Sequence, residues 1–260
     1  MDNLKLLKIG GSIITKKGKD QPSPDIDEMR RVAKEIRKGL SDTQGLVLIH
    51  GAGSYGHPIV KRTGIHKGIK TEKDRVHFAE TQRLQNELNS IFTEILIDQG
   101  IPAFPLQPSA SAIMNGSLEY MDCEVVKGLL DEGLVPVLYG VPAYDKKSGC
   151  SILSGDEIMP YLANKLGVGM VLHGTNVDGI YTSDPRKDPD AELIDEIRSM
   201  EEVKDKLSGS MDTDVTGGML NKVEKVLNTG VSGRIFDASK PGNVEKALRD
   251  EDVGTFVHGV

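Results

Sequence analysis

The sequence of 260 residues contains no tryptophan, only 5 phenylalanines and 6 tyrosines, and 2 cysteines. With so few rings available, the core must be aliphatic, built from Ile, Leu, Val, Met and Ala. Cys123 and Cys150 stand 27 residues apart, a separation that matches no metal-ligand spacing. Two cysteines are also too few for a disulfide framework, so they read as buried or half-buried free thiols. No apolar run approaches the ~18 residues of a membrane span, and MDNLKLLKIGGS is too short in its apolar part to serve as a signal peptide. A cytoplasmic protein with no membrane partner is expected. An excess of positive charge is lacking too: 32 Lys and Arg face 39 Asp and Glu, for a net charge of −7. That excludes nucleic acid as the main partner and leaves room only for a local basic site.

What is present is an alternation of apolar runs and amphipathic stretches. Leu4 to Ile9 reads as a strand that stops at Gly10-Gly11-Ser12. Asp25 to Leu40 has helical spacing, with Asp25 as N-cap. Gly45 to Ile49 is continuously apolar, as expected of a strand covered on both faces of a parallel sheet. Lys73 to Gln99 reads as a long helix, Ile101 to Leu106 as an edge strand, Cys123 to Glu132 as a helix and Leu134 to Tyr139 as a buried strand. Ser154-Gly155-Asp156 opens a helix from Glu157 to Leu166. Gly169 to His173 is a strand that feeds the turn-rich segment 174–181. Gly217-Gly218-Met219 opens a helix from Leu220 to Gly230. Gly233 to Phe236 and Gly254 to Val257 are the last apolar runs, and 15–24, 107–121, 142–151 and 182–190 read as turns. This is the grammar of an α/β fold with a mainly parallel sheet. The length suits one large domain, residues 1–260, with a lobe over roughly 1–150 and another over roughly 151–260.

Several of these strands end at glycines: 10–12, 51–56 and 174–179. Glycines also precede helices at 154–156 and 217–218. Ligands of open α/β sheets bind beyond the strand carboxyl ends, where bare amides and helix N-termini attract anions. A single glycine turn is more often just a turn, and none here is a P-loop or a dinucleotide fingerprint; their joint placement points to phosphate. Lysines add to the picture. Lys8 is flanked by apolar residues in a strand, and a buried lysine needs an anionic partner. Lys16 and Lys17 follow the first glycine turn, and Lys222 lies one helical turn beyond Gly218. Asp156 is a helix cap or the counter-charge that orients a lysine.

KIGGS, HGAGSYGHP, SGDE, TNVDGIYTSDP and DVTGGMLNKVEK, in that order, resemble the motif set of the amino-acid kinase family across nearly the full chain. The resemblance implies a three-layer αβα sandwich around a mainly parallel, about eight-stranded sheet. It implies an N-terminal lobe for the phosphoryl acceptor and a C-terminal lobe for ATP and Mg²⁺. Residue by residue, it assigns Lys8, Gly10, Gly11 and Ser12 to the loop facing the ATP phosphates. Lys17 would stabilise the transferring phosphoryl group, with Lys16 as the alternative. Ala52 and Gly53 would sit where donor and acceptor meet, Gly155 against the acceptor, and Asp156 beside Lys8 and Lys17. Asp178, Tyr181, Gly218 and Lys222 would lie at the ATP end, although Asn176 stands where many relatives carry aspartate.

Within the family, GAGSYGHP resembles the isopentenyl phosphate kinases, which implies that His57 binds the acceptor phosphate and that isopentenyl phosphate is the small-molecule substrate. A phosphate monoester carries roughly −1.5 to −2 charges at neutral pH, more than a carboxylate, and imidazole is suited to meet it. His50, at a strand end, reads as structural. The resemblance also implies a homodimer, Mg²⁺ held on the nucleotide rather than by a protein cluster, and an apolar tail pocket near Phe78–Leu96 and Ile101–Ile113. A fosfomycin-type kinase and a nucleotide-binding protein without turnover are the alternatives.

Overall fold

A computed structural model describes residues 4–16, 21–183, 185, 188–207 and 222–259. Strands β1 (Leu4–Ile9) and β2 (Gly45–His50) pair in parallel and form the centre of the main sheet. Beyond β2 follow β6 (Val135–Tyr139) and, at the edge, β3 (Ala103–Pro105). On the other side of β1 lie β9 (Met170–Thr175), β11 (Gly233–Asp237), β12 (Thr255–Val257) and β10 (Glu196–Ile197). β12 pairs antiparallel with β11 and parallel with β10, so these two edge-side strands, β12 and β10, run opposite to the other six.

The apolar content of β1 explains the layering. All six of its residues are buried. Leu4 and Leu6 face one hydrophobic cluster and Leu7 and Ile9 the other, as alternation along a strand requires. Helices α5 (Glu124–Asp131), α6 (Gly155–Leu166), α7 (Met200–Leu207) and the helical segment 222–227 lie on the first face. Helices α1 (Gly11–Ile14), α2 (Ile26–Gly39), α3 (Gly53–Thr63), α4 (Glu72–Asp98) and α8 (Asn243–Leu248) lie on the second. The result is a three-layer αβα sandwich with aliphatic cores on both sides. Asp25 caps α2 through the Glu28 amide, as its sequence predicts.

Two expectations require correction. The stretches 107–121 and 142–151, read as turns, carry a second sheet of four strands. Its strands are β4 (Ala112–Met114), β5 (Leu118–Met121), β7 (Val141–Asp145) and β8 (Gly149–Leu153). They are too short to show a period. They are organised by the buried Asp145, which accepts from the amides of Gly116, Lys147 and Ser148 and from the Ser151 hydroxyl at 2.7–3.1 Å. Burial alone would raise its carboxyl; these donors outweigh that and hold it far below the usual carboxylate range. The second correction concerns 51–58. Only Gly51 and Ala52 form a turn, and from Gly53 the chain is already helical. Tyr55 and Ile59, four residues apart, are both buried, and their packing overrides the poor helix propensity of Gly56 and Pro58.

One buried charge was not anticipated. Lys5 is 1% exposed and pairs with Asp250 at 2.7 Å while donating to the Leu248 carbonyl. It fastens the end of α8 to the underside of β1.

Candidate active site

Lys8 projects from β1 on the same face as α6, and the first turn of α6 meets it there. Its ammonium lies 2.6 Å from Oδ1 of Asp156, the second residue of α6. The register of β1 on β9 sets Lys8 opposite His173. The His173 Nε2 lies 2.9 Å from the same carboxylate oxygen and 3.1 Å from the ammonium. Ser154 precedes α6 and donates its amide and hydroxyl to Glu157 at 3.2 and 3.1 Å, which fixes the start of the helix. Gly155 packs closely at that start: a Cβ there would press on the Ile49 side chain at 3.0 Å and touch Lys8 Cε at 3.4 Å.

These groups line a cavity of about 210 Å³ shared with Gly10, Gly174, Thr175, Lys222 and Lys225. Among the described residues three lysines and one aspartate line it, a balance that suits an anion. The local fields agree. Burial would raise the Asp156 carboxyl, but the hydrogen bond from His173 and the Lys8 charge hold it well below the usual range. Burial, then the Lys8 and Lys222 charges, push the His173 imidazole below its ordinary value. Burial first, and then Lys8, push the Lys222 ammonium down. A polyanion entering the cavity would relieve the mutual repulsion of these cations.

The first glycine turn touches the second. A Cβ at Gly11 would stand 2.2 Å from the Gly53 nitrogen, and one at Gly51 would stand 2.5 Å from the Gly11 nitrogen. Gly53 also has φ +50°, in the left-handed region. The Thr15 hydroxyl donates to the Gly11 carbonyl at 2.7 Å and accepts from the Ser54 amide at 3.0 Å. Gly10 donates to the Gly174 carbonyl at 2.9 Å, and Gly51 to that of Ile9 at 2.9 Å. Three strand ends are thus sewn together where β1 meets its neighbours.

His57 sits in the first turns of α3 and is exposed, a few residues beyond this junction. His50 is wholly buried, as a structural residue should be. Its Nδ1–H donates to the Gly51 carbonyl at 3.1 Å and its Nε2 accepts from Asn89 at 3.1 Å, while its ring stacks on Tyr139. Burial pushes it down to about 4. Above pH 6.5 it is neutral in both folded and unfolded chains. As pH falls through that value toward 4, only the unfolded chain takes up the proton, so stability falls, by about 3 kcal/mol in full. His50→Gln should reduce this slope in denaturant unfolding measured from pH 7 to 4.5. An unchanged slope would exclude His50 as its source. His173 acts in the same direction, so part of the slope should persist.

The other expected site residues divide. Ser12 and Lys16 are described and exposed, whereas Lys17 and Gly218 lie outside the described residues. Lys222 reaches the cavity; Asp178 and Tyr181 do not line it. Asp178 instead pairs with Lys240 and accepts from the Tyr181 hydroxyl at 3.2 Å. His173 and Lys225 were not singled out in the sequence. A lone histidine ending the run GMVLH looks like a core residue, and only the strand register shows that it stands beside Lys8.

The family model of the amino acid kinase family matches residues 3–235. The chain belongs to the amino acid kinase family. An isopentenyl phosphate kinase of Methanothermobacter thermautotrophicus is 40% identical, with 98% of each chain covered. One of Methanocaldococcus jannaschii is 36% identical, again over 98% of each. A solved structure of an isopentenyl phosphate kinase superposes with a TM-score of 0.85 at 37% identity, covering 98% of this chain and 99% of that one. The αβα layers and eight-stranded sheet are therefore those of an amino acid kinase, and the strand-end cavity lies where open α/β sheets receive ligands.

Proposed function

We propose that the chain transfers the γ-phosphoryl group of ATP to isopentenyl phosphate, giving isopentenyl diphosphate and ADP. The observation that carries this reading is the basic cavity around Lys8, Asp156 and Lys222, joined by backbone contact to the turn that leads into His57. Near-full-length similarity to isopentenyl phosphate kinases supports it. In this reading the C-terminal part of the chain receives ATP, and the part up to about residue 150 receives the acceptor.

The chemistry is a direct in-line displacement. An oxygen of the acceptor phosphate forms a bond to the γ-phosphorus, and the bond to the β-phosphate oxygen breaks, leaving ADP. The acceptor is already ionised at neutral pH and needs no general base. The protein's task is to bring two anions within about 3–3.5 Å and offset their repulsion. Lys8, held by Asp156, serves the β- and γ-phosphates together with the amides of Gly10, Gly11 and Ser12. Lys222 serves the nucleotide, and Lys17 the moving phosphoryl group, on the motif resemblance. Ala52, Gly53 and Gly155 border the acceptor phosphate, and His57 donates to it. Asp178 and Tyr181 belong to the nucleotide end on the motif resemblance alone. Mg²⁺ would be held by ATP phosphates and water, where it would supply further charge neutralisation. Action as a homodimer in the cytoplasm is part of the same proposal.

ADP release measured with isopentenyl phosphate, dimethylallyl phosphate, fosfomycin, UMP and acetylglutamate tests the assignment. Isopentenyl phosphate should give the highest kcat/KM. Preference for fosfomycin would overturn the substrate, and ATP binding without turnover on any acceptor would overturn the enzyme. His57→Ala should raise the KM for isopentenyl phosphate about tenfold or more, the worth of a hydrogen bond to a charged group, with the KM for ATP little changed. Intact acceptor affinity would remove His57 from the site.

A further inference from the structure

We propose that His173 is a positioning residue of the phosphate cavity. Its Nε2–H holds the Asp156 carboxylate and leaves the Lys8 ammonium available to a bound phosphate. The inference rests on reading Lys8 as a phosphate ligand.

The geometry is a shared acceptor. Oδ1 of Asp156 receives Lys8 at 2.6 Å and His173 at 2.9 Å. An aspartate with lysine as its sole partner would direct its full charge at the ammonium and compete with any phosphate. A second donor on the same oxygen fixes the carboxylate's rotation and draws off part of that charge. His173 is 3% exposed and reaches this oxygen because β9 lies beside β1 in register.

The tautomer follows from the partners. His173 Nδ1 is buried with no hydrogen-bond partner among the described residues. A proton there would leave a buried donor unsatisfied, whereas a bare Nδ1 leaves only a lone pair. The single proton of the neutral ring therefore belongs on Nε2, where the carboxylate accepts it. Its 3.1 Å approach to the Lys8 ammonium is then a packing contact between two donors. The charged groups around the ring are Lys8 from β1, Asp156 from α6 and Lys222 from segment 222–227. Two of the three are cationic and oppose a second proton, so the ring works as a fixed neutral donor and not as a proton carrier.

Two substitutions separate this role from simple core packing. His173→Leu keeps the bulk and removes the donor; His173→Gln places an amide N–H near the position of Nε2. His173→Leu should lower kcat/KM for ATP about ten- to a hundredfold, mostly in kcat, and His173→Gln should stay close to the parent. Turnover at parent level in the leucine variant overturns the proposal, as does equal impairment of the two when both melt like the parent. If the leucine variant does not fold, the glutamine variant and nitrogen-15 imidazole resonances of the parent decide. Those resonances should report a neutral ring protonated at Nε2 between about pH 6 and 8; an Nδ1–H or doubly protonated ring overturns it. Lys8→Met serves as control. Full activity there would sink the underlying site, while its inactivity beside a parent-like His173→Leu would sink this inference alone.

Discussion

Lys8→Met should lower kcat/KM for ATP by about a hundred- to a thousandfold, the range for removing one preorganised charge from a transition-state site. Methionine matches the lysine stem in length and volume, so the fold has little to repack. What changes is the cavity's positive charge, which falls by one. On the proposed reading the nucleotide loses its Lys8 contact, and the Asp156 carboxylate, keeping its hydrogen bond from His173, would repel the phosphates. Both effects act against the reaction. Stability should move little, because the Asp156 side chain is 38% exposed and water can replace the ammonium. Adding Asp156→Asn should restore part of the ATP binding by removing the repulsion, but not turnover. Steady-state kinetics with melting curves on the single and double variants check this. A single variant that turns over like the parent would take Lys8 out of the mechanism.

The second large effect is structural. Gly11→Ala puts a methyl 2.2 Å from the Gly53 nitrogen, 2.7 Å from its Cα and 2.9 Å from the Gly51 carbonyl carbon. All three are backbone atoms and none can swing aside, so the two turns must part. The expected cost is at least about 3 kcal/mol, the upper range of overpacking penalties. Gly10→Ala is the contrast. Its Cβ would find nothing nearer than the Gly174 carbonyl at 3.4 Å, and its backbone, with φ −59°, suits any residue. It should fold within about 0.5 kcal/mol of the parent yet bind ATP more weakly, since the methyl enters the cavity that Gly10 lines. Denaturant midpoints and nucleotide titrations separate the two. Equal tolerance of both substitutions would refute the contact.

This contrast also marks where the sequence could be read and where it could not. The main-sheet strands and flanking helices were legible because fully buried parallel strands write continuous apolar runs, as at Gly45–Ile49, and helices keep a recognisable stripe. The second sheet was not, since its three- to five-residue strands depend on Asp145 gathering four donors, a convergence that no local pattern announces. That Lys8 needs an anionic partner was legible, because a lysine inside an apolar strand demands a counter-charge; that Asp156 supplies it came from the motif resemblance and not from the strand. His173 and Lys5 were not, because each finds its partner through strand register or a contact more than 200 residues away along the chain. The glycines were legible as a class but not by task. Sequence reading gives them all to phosphate, whereas Gly11, Gly51 and Gly53 are needed first by one another.

That mutual contact has a consequence for how the substrate range can drift. The two glycine turns meet main chain to main chain, so their spacing is set by atoms that no point substitution can trim. If those turns hold donor and acceptor as proposed, a lineage can reshape the far wall of the acceptor site at will, one side chain at a time. The separation at which two phosphates would be presented to each other is inherited like a die, and variation is left to whatever hangs from the phosphate.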